Sequence, residues 1–516
     1  MSRTPLRVAA AVAVGALTVA MSPSALAGPA ACSTRTNNTH AKLAECVTLE
    51  GVRAHQAALQ TIADENNGTR VSGSAGYDAS VDYVVDTLKK AGYSPTVEPF
   101  TFNTFITRSA TVLEQVAPAP AGPLTVSTMT YSGSGDVTAA VTPLPAPPAD
   151  PTPGCEAADF AGFPAGHVAL ISRGACAFAL KASNAAAAGA SAVVIYNNVP
   201  GTLNGTLSET FTLDLPVVSV TQALGQQLAG TSGLVLRVKT DTFRGAATSY
   251  NVLAELPGTN DDNVVMAGAH LDSVNAGPGI NDNGSGSAAI LEVAVQLAKV
   301  KPTNTVRFAW WGAEESGLVG STRYVQGLNE AEVDEIALYL NFDMVGSPNH
   351  VFFVYDGDDS DEVGAGAGPE GSARIEKTFE AFYSQRGVPF KGTDFSGRSD
   401  YGPFIAAGVP SGGLFTGAEG IKTAEEAALW GGTAGQQYDP CYHLACDTYA
   451  NNNDTALDVN SDAIAFAVLQ YGMNTSDVNG VAGKGNFPPA KPSTSPAAVG
   501  GSQGGLHDEH DEAVDR

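Results

Sequence analysis

Four apolar runs constrain this chain more than any other feature: "NVVMAGAH" at 263–270, "TVRFAWWGAEE" at 305–315, "IALYLNFDMVG" at 336–346 and "HVFFVYDG" at 350–357. A strand with one wet face alternates apolar and polar residues. These runs do not alternate, which calls for a sheet covered on both faces, and such sheets are parallel for the most part. Helical periodicity lies between or after them, at 285–300 and 373–386. The pattern predicts an α/β domain, a mostly parallel mixed sheet with helices on both faces.

Ligands of such sheets bind beyond the carboxyl ends of the strands. Polar residues gather there. His270 and Asp272 end the first run, and Asp282 follows in the glycine-rich loop "GINDNGSG". Glu314 and Glu315 end the second run, Asp343 ends the third, and His443 lies far downstream in "DPCYHLACDTY". Taken singly, each has an ordinary explanation. A strand-end histidine is often structural, paired glutamates often form a solvated turn, and an aspartate after a strand often caps a helix. Taken together they fit a metal site, because two imidazoles and several carboxylates can hold a pair of zinc ions. Adjacent side chains on a strand point to opposite faces, so both glutamates serve one site where the strand turns. The glycines of "GAEESG" supply that turn. One glutamate can then bind metal while the other acts as general base.

The flanking regions fix the compartment. Arg3 and Arg7 lead into "VAAAVAVGALTVA", and "SALA" offers a cleavage site near Ala27, so residues 1–27 read as an export signal. The six cysteines fall as Cys32 and Cys46, Cys155 and Cys176, Cys441 and Cys446. An even count in an exported chain favours disulfides, although composition leaves the connectivity open. A net charge of −26 argues against a nucleic-acid binder, which would need a basic face. No mature segment has the length and apolarity of a membrane span.

The α/β domain reads as discontinuous, covering residues 28–112 and 245–474. It opens with a helical pattern that puts Val81, Val84, Val85 and Leu88 on one face and Gly92 at its end. Between the two parts, residues 113–244 pass through the proline-rich "TPLPAPPADPTPGC" into a strand, an alanine-rich helix and further strands. Residues 475–516 are rich in Gly, Pro, Ser and Ala and read as a disordered or processed tail, with His507 and His510 solvated among its acids.

Two resemblances follow from these motifs. Residues 166–198, with their Arg-Gly-x-Cys-x-Phe segment, resemble the protease-associated domain, a module usually inserted into a peptidase. The resemblance implies a lid or substrate-guiding role for residues 113–244, or a stable module beside the active domain. "GAHLDS", "GINDNGSG", "WWGAEESGLVGS", "NFDMVGS", "GRSDYGPF" and "CYHLACDTY" together resemble the secreted di-zinc aminopeptidases related to aminopeptidase Y. That family implies a zinc exopeptidase fold in which His270 and Asp343 complete one zinc, Glu315 and His443 the other, and Asp282 bridges them. Glu314 would be the general base that deprotonates the bridging water, and Asp272 would orient His270. Tyr442 would donate to the oxyanion, and Arg398 would lie near the substrate. A Cys441–Cys446 loop would pre-organise Tyr442 and His443.

The family also implies two zinc ions per chain, with calcium in some relatives; here "DGDDSDE" reads as a solvated acidic loop. The expectation is a secreted, monomeric aminopeptidase that takes peptides or proteins and removes N-terminal residues, large and apolar by default. A zinc carboxypeptidase of the same fold would need a basic pocket near the motifs, where Arg398 alone stands out. A glutaminyl cyclase would work with a single zinc. A non-catalytic binding protein should have lost the base or a ligand.

Overall fold

The computed structural model describes residues 32, 34–201, 203 and 205–491. The expected leader 1–27 and residues 492–516, with His507 and His510, lie outside the described residues.

The chain enters through helices Leu49–Glu65 and Ala75–Ala91. Ser74 caps the second by accepting from the Tyr77 amide, and Gly92 ends it at φ 105°, where a side chain would be strained. Strand β1 (Thr96–Thr107) follows. The chain then builds a second sheet from β2 (Val112–Ala117), β3 (Gly122–Leu124), β4 (Ser127–Thr128), β5 (Gly135–Pro143), β6 (Val168–Ser172), β7 (Ala192–Tyr196), β8 (Val217–Val220) and β9 (Val235–Thr240). Its order is β3-β2-β9-β5-β6-β7-β8-β4.

The return strand β10 (Thr242–Leu256) pairs with β1 along its whole length, from Thr96 opposite Leu253 to Thr107 opposite Thr242. The chain therefore enters and leaves the smaller sheet at the Thr107–Thr242 pair, and Arg244 of β10 ties it further by donating to the Phe211 and Leu213 carbonyls at 2.9 and 3.0 Å. Strands β11 (Asn260–His270), β12 (Asn304–Trp311), β13 (Ile336–Phe342), β14 (Phe353–Tyr355), β15 (Lys391–Thr393) and β16 (Ser411–Phe415) complete the first sheet. Its order is β1-β10-β12-β11-β13-β16-β14-β15. The pairings β12/β11, β11/β13, β13/β16 and β14/β15 are parallel. Those of β1/β10, β10/β12 and β14/β16 are antiparallel.

The absence of alternation in β11 has the expected cause. Val265, Ala267 and Ala269 pack into one core with helices Gly284–Leu297 and Asp454–Met473. Val264 and Met266 face a second core with Trp311, Tyr339 and Phe404. Helix Gly284–Leu297 runs close under the sheet, and a Cβ at Gly286 would sit 2.1 Å from the Phe342 carbonyl oxygen.

All three local disulfides are formed: Cys32–Cys46, Cys155–Cys176 and Cys441–Cys446. No helix among the described residues is long and apolar enough to cross a membrane. The disordered-tail reading needs correction over its first part. Residues 475–491 fold back as a strap, with Val478 and Phe487 buried in the main core and the Asn474 amide side chain donating to the Phe487 carbonyl at 2.8 Å. Two well-placed apolar side chains and backbone pairing hold a segment whose composition alone suggests disorder.

Candidate metal centre

His270 is the last residue of β11, and Asp343 follows the end of β13. Glu314 and Glu315 lie just past β12, in a turn where Ala313 takes φ 55° and Gly317 φ 97°. That turn lets both glutamates face one site. Asp282 precedes helix Gly284–Leu297, and Gly279 (φ 60°) folds the loop so tightly that a Cβ there would lie 2.3 Å from the Asp282 carbonyl oxygen. His443 sits inside the Cys441–Cys446 loop at φ 56°.

These five sequence-predicted ligands converge. His270 Nε2 lies 3.3 Å from Asp282 Oδ1 and 3.3 Å from Asp343 Oδ1. His443 Nε2 lies 3.2 Å from Asp282 Oδ2 and 3.1 Å from Glu315 Oε2. Asp282 thus gives one oxygen to each histidine, and the two donor sets share it. The spacing is informative. Charge-assisted N–H···O bonds run about 2.7–2.9 Å, whereas ligand atoms around a tetrahedral zinc with bonds near 2.0–2.1 Å stand about 3.3 Å apart. Asp343 Oδ1 and Glu315 Oε1 are buried without a hydrogen-bond partner, which leaves acceptor capacity aimed into the site. Mixed imidazole and carboxylate donors of this kind fit a borderline divalent cation on each side of Asp282.

The supporting residues complete the centre. Asp272 Oδ1 accepts from the Glu314 amide at 3.2 Å and lies 3.6 Å from His270 Nδ1, while the Asp272 carbonyl lies 3.2 Å from the same nitrogen. It therefore ties the histidine to the glutamate turn. Burial pushes the Glu314 carboxyl well above the usual range, and Asp400, Glu315 and Asp343 add repulsion that His270 partly offsets. Burial alone would lower His443, but Glu315 and Asp282 outweigh it and lift the imidazole to about 11. Arg398 reaches none of the ligands. Its Nη2 donates to the Tyr442 hydroxyl at 3.1 Å, and the Tyr442 ring stacks on His443 at 3.8 Å between centroids.

Other residues were not anticipated. Asp447 accepts from the Asn281 amide at 2.8 Å and the Asp282 amide at 2.9 Å, so it holds the loop of the shared aspartate. Ser399 donates to Asp343 Oδ2 at 2.6 Å and accepts from Asn341 Nδ2 at 2.8 Å. Asp400 is fully buried, and burial lifts its carboxyl to about 7 against the opposing pull of His270 and Ser321. All three lie inside motifs already singled out by the sequence, which was the available signal. Arg70 had none. Its buried guanidinium donates to the carbonyls of Leu271, Pro278 (2.8 Å) and Gly279 (2.6 Å), bracing the loop between His270 and Asp282.

The fold and this centre define an α/β metallopeptidase with an inserted module, and comparison with known proteins agrees. Residues 251–468 match the peptidase family M28 and residues 137–228 match the PA domain. An aminopeptidase of Pseudomonas aeruginosa is 46% identical over 496 residues, covering 90% of this chain and 92% of that protein. Leucine aminopeptidase 2 of Arthroderma otae is 44% identical over 410 residues, covering 78% and 79%. BSAP, a zinc aminopeptidase from Bacillus subtilis, superimposes with a TM-score of 0.59 at 25% identity, covering 82% of this chain and 95% of that one. The chain belongs to peptidase family M28 and carries a PA domain.

Proposed function

We propose that this peptidase is an exported aminopeptidase that uses two zinc ions and prefers large apolar N-terminal residues. The observation that carries the reading is the shared Asp282, whose two oxygens face two histidines at zinc-like spacing. His270 and Asp343 would hold one ion with Asp282, and Glu315 and His443 the other. When bound, such a pair supplies Lewis-acid polarisation of the scissile carbonyl and lowers the pKa of water. Glu314, buried and pushed upward, is suited to take a proton from the attacking water and return it to the leaving amine. Tyr442 would donate to the carbonyl oxygen as negative charge develops. The substrate's free α-amine would be anchored among Glu314 and its neighbouring carboxylates, which restricts cleavage to the first residue.

Zinc and the apolar preference are supported by the zinc aminopeptidase and leucine aminopeptidase relatives. Export is supported by the leader pattern of residues 1–27 and by the three disulfides. We take the working form to be a monomer acting on peptide or protein substrates. The acidic cluster of Asp356, Asp358 and Glu376 adds no support for calcium, because Lys377 Nζ already lies 3.7 Å from Asp358 and 3.0 Å from Glu376. A carboxypeptidase is disfavoured because Arg398, the cation expected to receive a terminal carboxylate, is paired with Glu419 at 2.6 Å.

The test compares leucine-p-nitroanilide with its N-acetylated form on chelator-treated protein, with and without zinc. Zinc-restored cleavage of the free-amine substrate alone is expected. Equal cleavage of both, or of neither at two bound zinc ions per chain, would overturn the reading.

A further inference from the structure

Glu419 lies in the loop after β16 and appears in no motif discussed above. The loop is pinned on both sides of it. The Asp439 amide donates to the Ala418 carbonyl and the Tyr438 amide to the Gly420 carbonyl, both at 2.9 Å. Gly417, at φ 96°, packs so closely that a Cβ there would meet the Tyr438 ring at 2.4 Å. Glu419 is thus fixed against the segment that leads directly into the Cys441–Cys446 loop.

From there a single line of contacts runs to the metal centre. Glu419 Oε1 accepts from Arg398 Nη1 at 2.6 Å, Arg398 Nη2 donates to the Tyr442 hydroxyl at 3.1 Å, and the Tyr442 ring lies on His443. The chemistry of this line is directional. An arginine can only donate, so the phenol oxygen is the acceptor and its own hydrogen stays free. A long arginine side chain at a half-exposed rim has many rotamers, and a carboxylate on its other nitrogen removes most of them.

We propose that Glu419 is a positioning residue for catalysis: it fixes Arg398, Arg398 occupies the Tyr442 oxygen, and the Tyr442 proton is thereby aimed at the substrate carbonyl oxygen. The inference rests on the proposed role of Tyr442 in peptide hydrolysis. It explains why an ion pair sits at the mouth of an already acidic site, and why the arginine there does not serve as a carboxylate receptor.

The test is a double-mutant cycle on the zinc-loaded full chain with leucine-p-nitroanilide, using E419A, E419D and Y442F. E419A is expected to lower kcat about fivefold with KM within about twofold, the worth of about one hydrogen bond. E419D should recover part of the loss. In the Y442F background E419A should change kcat by less than about 1.5-fold, since the residue it positions is gone. Equal losses in both backgrounds, a loss carried by KM, or no loss with zinc content and melting temperature intact would overturn the proposal. A parent protein inactive on free-amine substrates would instead remove the aminopeptidase reading, and this inference with it.

Discussion

Replacing Arg70 is the perturbation with the most clearly calculable consequence. The guanidinium is fully buried and donates to three carbonyls of the 271–279 loop, while the Arg70 amide donates to Ser273 Oγ at 3.0 Å. Burial lowers its pKa to about 10, so it stays charged at neutral pH, facing Asp272 and Asp447. Arg70→Met removes all three donors and leaves their acceptors buried. At about 1.5–3 kcal/mol for each charge-assisted bond, the loss is about 5–9 kcal/mol, which places it among the rare large effects. Arg70→Lys keeps the charge but not the fork, and should lose about half as much. Denaturant unfolding followed by tryptophan fluorescence reads this directly, because Trp310 and Trp311 are buried in β12 of the same sheet. The zinc affinity of both variants should fall in parallel, since the braced loop sets the distance from His270 to Asp282. Should both variants stay within about 1 kcal/mol of the parent, the carbonyls do not depend on the guanidinium and the reasoning fails.

Three further outcomes are expected. Glu314→Gln should lower kcat by about 10²–10⁴-fold with bound metal unchanged by elemental analysis, and activity within tenfold of the parent would rule out the base. Breaking the Cys441–Cys446 loop with paired serines should cost about 2 kcal/mol of stability on loop-closure grounds and lower kcat/KM more than it raises KM, since His443 and Tyr442 lose their support. His350 is buried, stands edge-on to Phe352, and is lowered from 6.5 to about 4 by burial and then by Lys422. The unfolded chain therefore binds the proton that the fold refuses, so stability is complete above about pH 6.5 and declines toward pH 4, by about 3 kcal/mol at most. His350→Phe should flatten that slope in melting temperature against pH; an unchanged slope would show that the imidazole is not its source.

What the sequence discloses depends on whether the signal is local. Strands β11, β12 and β13 are legible because being sandwiched between two helical layers removes the polar alternation, and the strand ends then point to His270, Glu314 and Asp343. Gly92 is legible because a left-handed helix end favours glycine. "HVFFVYDG" looks as strand-like as the others, yet only Phe353–Tyr355 forms regular strand, because β14 lies near the sheet edge beside a three-residue partner. Asp447 could be noticed but not interpreted, since its partners Asn281 and Asp282 are 166 and 165 residues away in sequence. Arg70 stands in the turn-rich "NNGTRVSGSAG", where no periodicity marks a buried cation. The strap at 475–491 is carried by isolated apolar residues, which give no period to read.

The rung that joins Thr107 to Thr242 has a mechanical meaning. The smaller sheet is a load on the tip of a two-stranded lever, and the inner arm of that lever, β10, is paired directly with β12. That pairing puts β10 beside the strand whose end carries the turn that presents Glu314 and Glu315. Cutting after 107 and before 242 and closing the gap with a tight turn would leave a plain hairpin with its register intact. The inserted sheet is in that sense a cassette entered and left at one rung of the β1/β10 ladder.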